Sequence, residues 1–200
     1  MLLCDIGNTR AKLYDGTRLW SVGFEELARY KDERVCYISV NDRVQISYER
    51  WIDIEPFVEL DSDYEGLGVD RKVLCNAVED GVIVDAGSAI TVDVMRSRIH
   101  QGGFITPGIE ASRRALGSIS SRLEFEPSWE VDLDRLPKNT KEALEYGMIA
   151  PLVTWLKSQG QRIYITGGDG PIIASYLQAT YDPVLIFRGM EKIIQRKGLC

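Results

Sequence analysis

Leu2-Leu3-Cys4-Asp5-Ile6-Gly7-Asn8-Thr9 is an apolar run that breaks into an aspartate, a glycine and small polar residues. Val82-Ile83-Val84-Asp85-Ala86-Gly87-Ser88-Ala89, with its aspartate 80 residues further on, is built the same way. Each run is followed by a second apolar stretch, at 11–14 and at 90–95. The repeated pattern is strand, Asp-x-Gly-small-polar, strand. A unit repeated at a fixed spacing is the mark of a duplicated fold. The expectation is an α/β protein of two similar halves, 1–78 and 79–200, with one such loop in each.

Outward from these loops, strands and helices alternate. Strands are expected at 2–6, 11–14, 18–22, 35–40, 58–60, 81–85, 90–95, 98–100, 162–166 and 184–187, from β-branched and apolar content. Asp15-Gly16 reads as a hairpin turn. Helices are expected at 24–30, 44–51, 72–78, 107–123, 171–178 and 190–196. A further helix opens at Asn139-Thr140-Lys141-Glu142, a capping box. It carries Leu144, Met148, Leu152 and Leu156 on one face and should bend at Pro151.

Composition narrows the classes. With 200 residues the chain can bury roughly 70% of its unfolded surface. Lys plus Arg is 24 against 30 for Asp plus Glu, a net charge of −6. That balance speaks against nucleic acid and against an anionic lipid surface as partner. No apolar stretch is long enough to span a bilayer, and a charge at residue 5 leaves no apolar region for a signal peptide. Cys4, Cys36, Cys75 and Cys200 are scattered, without CxxC spacing, and His100 is the lone histidine. They read as reduced thiols of a cytoplasmic protein rather than as a zinc site.

Five segments carry chemistry. In residues 5–12, Gly7 lets backbone approach a bulky anion, Asn8 and Thr9 add donors, and Lys12 adds charge. Asp5 would repel phosphate but suits a Mg²⁺ ion or its water. A polar hairpin turn is the alternative there, as it is for 85–91, where Ser88 can donate to phosphate and Asp85 can hold a cation. Thr166-Gly167-Gly168-Asp169-Gly170 lacks the dinucleotide fingerprint but suits close backbone approach of a ring or sugar. In Gly68-Val69-Asp70-Arg71 a carboxylate beside a guanidinium can take a proton from an alcohol while the arginine orients a polar or anionic substrate. A surface pair without function is the alternative. Gly102-Gly103-Phe104-Ile105-Thr106-Pro107-Gly108 is a rigid loop into a helix, and the histidine before it reads as structural.

Together these segments resemble the superfamily of sugar kinases, heat-shock chaperones and actin, whose members bind ATP in the cleft between two ribonuclease H-like domains. Within it the chain is similar to the type III pantothenate kinases. DIGNT at 5–9, GVDR at 68–71, DAGSAITVD at 85–93, GGFITPG at 102–108, NT at 139–140 and TGGDG at 166–170 follow that family's motifs in order. Ser88 stands for the usual threonine and Gly170 for alanine. The chain is shorter than most members before Gly68, and the tyrosine usually preceding that motif sits closer, at Tyr64.

The resemblance implies transfer of phosphate from ATP to the primary hydroxyl of pantothenate, the first step toward coenzyme A. It implies Asp70 as general base. ATP would be held by Asp5, Ile6, Gly7, Asn8, Thr9, Arg10, Ala11, Lys12, Ser88, Gly167 and Gly168. Pantothenate would contact Tyr64, Gly68, Val69, Asp70, Arg71 and Thr140. Asp5 would act on Mg²⁺ through water, and Asp85 would hold the monovalent cation, K⁺ or NH₄⁺. The resemblance also implies a homodimer with Thr140 reaching across the interface. The alternatives are a kinase of another small alcohol, a polyphosphate phosphatase, a catalytically inactive nucleotide-binding regulator, and an actin-like assembly protein.

Overall fold

The computed structural model describes residues 1–177 and 179–199. Cys200 and the end of the helix expected at 171–178 lie outside them. The chain forms two compact units, the first from residues 1–80, 93–102 and 183–200, the second from 81–92 and 103–182. A halving at 78/79 therefore differs from this division by a hairpin end and the last helix.

In the first unit, β1 (Leu2–Ile6) lies between β2 (Ala11–Tyr14) and β4 (Val35–Ser39), with β3 (Leu19–Val22) and β5 (Trp51–Asp53) outside, in the order β3-β2-β1-β4-β5. β1 runs antiparallel to β2 and parallel to β4. It is covered on both faces, which is why its sequence is almost continuously apolar. At the β2–β3 turn the Asp15 carboxylate accepts the Thr17 and Arg18 backbone N–H groups, and Gly16 takes a φ of 98°. A 3-10 helix covers Phe24–Tyr30.

Two helices close this unit, α1 (Val69–Ala77) and α5 (Leu185–Lys197). They meet at Gly189, where any Cβ would stand 2.1 Å from the Val73 carbonyl oxygen. Val73, Leu74, Met190 and Ile193 are buried there. This packing fixes the α1 first turn, which carries Asp70 and Arg71. The helix starts at Val69 rather than at residue 72, because Gly68 is its extended N-cap.

Three expected elements differ. Residues 58–60 form no strand, and a two-residue strand lies just beyond them at Asp61–Ser62. No helix forms at 44–51: residues 44–48 run without regular structure, and Trp51 begins β5. Val44, Ile46 and Tyr48 pack partly buried against the core, and their two-residue spacing is that of an extended chain. The strand expected at 184–187 is instead the first turn of α5. Leu185, Ile186 and Phe187 continue the buried helical face of Met190, Ile193 and Ile194. A short apolar run does not by itself distinguish buried helix from buried strand.

The second unit is built on β7 (Gly81–Ala86), β8 (Ala89–Arg96), β9 (Ile99–Pro107), β10 (Ile163–Thr166) and β11 (Thr180–Tyr181). Their order is β9-β8-β7-β10-β11, the order of the first sheet repeated. β7 pairs in parallel with β10, as β1 does with β4. The duplication read from the two Asp-x-Gly loops thus extends to topology. β8 and β9 continue as residues 93–102 in the first unit, where β6 (Asp61–Ser62) pairs with β9. The remaining helices are α2 (Ile109–Ile119), α3 (Thr140–Ser158) and α4 (Gly170–Ser175). α2 is shorter than expected, because Pro107 ends β9 and Gly108 caps the helix. The Asn139 side chain accepts the Glu142 N–H, so the expected cap forms, and α3 continues through Pro151. Among the described residues no helix is long and apolar enough to cross a membrane.

Candidate active site

Asp70 occupies the first turn of α1, half-buried. Its Oδ1 accepts the Arg71 backbone N–H at 2.8 Å. A Cβ on Gly68 would lie 2.7 Å from that same oxygen, so the glycine leaves room for the carboxylate to fold back over the helix start. Burial pushes the Asp70 carboxyl up from the usual aspartate range; the Arg71 N–H and guanidinium pull it down, and Asp93 adds to the rise. A carboxylate raised in this way is a better proton acceptor near neutral pH than an exposed aspartate.

Arg71 is 4% exposed. Its Nε and Nη2 donate to Asp93 Oδ2 and Oδ1 at 3.0 and 2.7 Å, a bidentate pair. Burial works against its charge, but the Asp93 bonds outweigh it and raise its pKa. Tyr64 covers the guanidinium: its ring centroid is 4.9 Å from Arg71 Cζ, and its hydroxyl is 3.4 Å from Nη1. Tyr64 itself is 39% exposed. The shorter spacing before Gly68 therefore still brings the tyrosine to the arginine.

At the first Asp-x-Gly loop, Asp5 is buried at the end of β1 and stands opposite Lys12 on β2, so both side chains point to one face. Asn8, Thr9 and Arg10 are exposed. Asn41 Nδ2 donates to the Gly7 and Asn8 carbonyls and holds the loop. Ile6 and Ala11 are fully buried, so only their backbone can face a ligand.

At the second loop, Ser88 is exposed and Asp85 half-buried. Two glycine motifs press on this loop. Gly108 N–H donates to the Ser88 carbonyl at 3.1 Å, and a Cβ at Gly108 would lie 2.2 Å from the Gly87 carbonyl. Gly167, at a φ of 88°, would put a Cβ 2.5 Å from Asp85 Oδ1 and 2.3 Å from the Ala86 carbonyl. Its glycine is thus required by packing on the loop. Gly168 has open space above it and is the exposed member of the pair. Asp169 donates its N–H to Ala86, and its carboxyl is pushed up by burial and by Glu110. The Asp85 carboxylate is a hard oxygen donor of the kind a cation takes.

A sequence profile of the family described as Type III pantothenate kinase matches residues 33–162. A type III pantothenate kinase of Campylobacter jejuni strain RM1221 is 42% identical over 98% of this chain and 97% of its own length. That of Wolinella succinogenes is 44% identical over 98% and 97%. The chain belongs to the type III pantothenate kinases.

A solved Campylobacter jejuni structure, described as a Baf family transcriptional activator, superposes over 100% of both chains with a TM-score of 0.91 and 40% identity. MreB5 of Spiroplasma citri, solved with ADP, is 11% identical and covers 98% of this chain and 96% of its own, with a TM-score of 0.52. That likeness is of fold alone, and it is the actin-like ATPase fold of two ribonuclease H-like halves expected from the motifs.

The structure brings Asp70, Arg71, Tyr64 and Gly68, each expected at the substrate, together around the start of α1. Val69 is also there, but buried in the core. Thr140 is exposed as the first residue of α3, in the second unit. Asp93 and Ser62, which the sequence does not single out, and His100, which it reads as structural, build the surroundings of Arg71. Asp93 ends the DAGSAITVD motif; an acidic residue facing inward in an apolar strand was the signal available for it.

Proposed function

We propose that this chain transfers the γ-phosphoryl group of ATP to the primary hydroxyl of pantothenate, with Asp70 as general base. Asp70 beside Arg71 at the start of α1 carries this reading, in a chain of this family. The hydroxyl oxygen attacks the γ-phosphorus as its proton passes to Asp70. The bond to the bridging oxygen breaks, and ADP leaves. A positioned base supplies about 10²–10⁴-fold, and the rest comes from alignment and charge neutralisation. ATP is held by the backbone of residues 5–12 in the first half and by Ser88 and Gly168 in the second half. Gly167 serves that half through its packing on the loop. Asp5 meets the Mg²⁺ that accompanies ATP through water. Asp85 holds K⁺ or NH₄⁺, which would offset charge at the phosphates. Tyr64, Gly68, Arg71 and the backbone of Val69 hold pantothenate.

The active form is a cytoplasmic homodimer in which Thr140 reaches the partner's substrate. The support within the second unit is an apolar groove of about 650 Å³ lined by Phe104, Leu116, Leu144, Met148 and Trp155, together with exposed Ile105 and Ile119. Three of the four residues expected on one face of α3, Leu144, Met148 and Leu152, line this groove. Light scattering on wild type and Met148→Glu tests the assembly.

ADP release is measured with pantothenate and MgATP, in K⁺ and in Na⁺, on wild type and Asp70→Asn. Turnover that needs pantothenate and K⁺ and collapses in the variant is the expected result. ATP binding without such turnover would favour a nucleotide-binding regulator, the reading that the description of the Campylobacter jejuni structure raises. Full turnover in Asp70→Asn would remove the base assignment.

A further inference from the structure

Behind Arg71 lies a closed ring of side chains. Asp93 Oδ1 accepts Arg71 Nη2 at 2.7 Å and His100 Nε2 at 2.8 Å. His100 Nδ1 is 2.7 Å from Ser62 Oγ. Ser62 Oγ accepts the Tyr64 backbone N–H at 3.1 Å, and Tyr64 returns to Arg71 through its hydroxyl and ring face. Asp93 and His100 are 1% and 4% exposed. The four anchor points come from β6, α1, β8 and β9, all in the first unit. The bond to the Asp93 carboxylate requires a hydrogen on His100 Nε2, and Nδ1 pairs with the Ser62 hydroxyl.

We infer that Ser62, Asp93 and His100 are positioning residues that lock Arg71 and Tyr64 into one clamp for the polar end of the acceptor substrate. The inference rests on the kinase reading above. Asp93 takes one edge of the guanidinium through Nε and Nη2 and fixes its plane, leaving Nη1 on the side of the Tyr64 hydroxyl. His100 fixes the Asp93 carboxylate. Ser62 ties that same imidazole to the backbone of Tyr64. The arginine and the tyrosine therefore cannot reorient independently, although they lie on different elements. Pre-set geometry of this kind lowers the ordering cost of binding.

Cys75 places its sulfur within 4.8 Å of ligand atoms of Asp93 and His100, a trio of metal-binding types. A metal is the weaker reading. Both Asp93 oxygens and both His100 nitrogens already have partners in the protein, and burial pushes the Cys75 thiol up, away from the thiolate a metal needs.

Two measurements on the full chain test the clamp. Kinetics are compared for wild type, Ser62→Ala, His100→Phe and His100→Gln, the last keeping a donor toward Asp93. The expected result is a rise of about tenfold in KM for pantothenate in His100→Phe, with kcat and KM for ATP within about threefold. Ser62→Ala gives a smaller rise, and His100→Gln recovers most of the loss. An unchanged KM for pantothenate in a folded His100→Phe overturns the inference. So does an equal change in kcat and both KM values, which is what a loosened fold produces. His100 is the lone histidine, so the nitrogen NMR spectrum of imidazole-labelled protein reports it without assignment. A slowly exchanging Nε2–H is expected, and an Nε2 that carries no hydrogen overturns the ring. A wild type that turns over no pantothenate fails the kinase reading instead, and the spectrum still decides whether the ring forms.

Discussion

Replacing Gly108 by alanine isolates the second phosphate loop as a contributor to ATP binding. Gly108 has φ −63° and ψ 166°, extended backbone open to any residue, so alanine brings no dihedral strain. What it brings is one methyl group aimed at the loop. That carbon would lie 2.2 Å from the Gly87 carbonyl oxygen, 2.6 Å from that of Ser88 and 2.8 Å from the Ser88 carbonyl carbon. Ordinary contact is about 3.4 Å or more, so the loop must retreat by roughly 1 Å. Inserting a carbon into a packed site costs about 1–3 kcal/mol of stability. A displacement of that size at a reacting centre costs up to about 10²-fold in rate. Urea unfolding reads the first quantity. Initial rates, with ATP and pantothenate varied separately, read the second. The expected pattern is a large loss in kcat/KM for ATP and a smaller one for pantothenate, beyond what the unfolded fraction explains. Wild-type kinetics toward ATP in a Gly108→Ala protein with measurably lowered stability would refute the placement of phosphate at residues 85–88.

Three further outcomes follow. Asp93→Asn leaves the Arg71 charge buried without its counter-ion and should cost about 3–5 kcal/mol, whereas Arg71→Met combined with Asp93→Leu should recover much of that; urea midpoints at constant m value check the non-additivity. Asp70→Asn should raise the melting temperature at pH 7–8 while abolishing turnover. The folded state binds the Asp70 proton more tightly than the unfolded chain, whose value is near 3.8, so ionisation costs stability above the raised pKa and nothing at pH 3. The acid limb of kcat/KM should accordingly lie above the ordinary aspartate range. Glu145, fully buried on α3, accepts the backbone N–H groups of Ser128 and Trp129. Glu145→Ala should destabilise by about 2–3 kcal/mol and open residues 124–138 to limited proteolysis, because two donors lose their acceptor.

Much of this molecule was written in local sequence. The two Asp-x-Gly loops, the buried strands before them, the Asp15-Gly16 turn and the Asn139 cap depend on neighbours within a few residues. Those signals survive in any tertiary setting. Asp70 and Arg71 are adjacent in sequence, so their pairing at the start of α1 needed only a helix to begin at Gly68. The alternating Val44, Ile46 and Tyr48 also carried a local signal, of extended chain.

Tertiary structure decided the rest. Ser62, Asp93 and His100 have no spacing that marks them as a group; they meet because β6, β8 and β9 bring distant residues into register, with Ser62 directly beside His100. A glycine in a sequence does not say what comes close to it. Gly108 and Gly167 turn out to face the backbone of the second Asp-x-Gly loop, and Gly189 the backbone of α1. The apolar residues 185–187 suited strand or helix equally, and the Val73–Gly189 contact is what makes them the start of α5. Local propensity sets which elements are available, while burial and close approach between distant segments select among them and place the groups around Arg71.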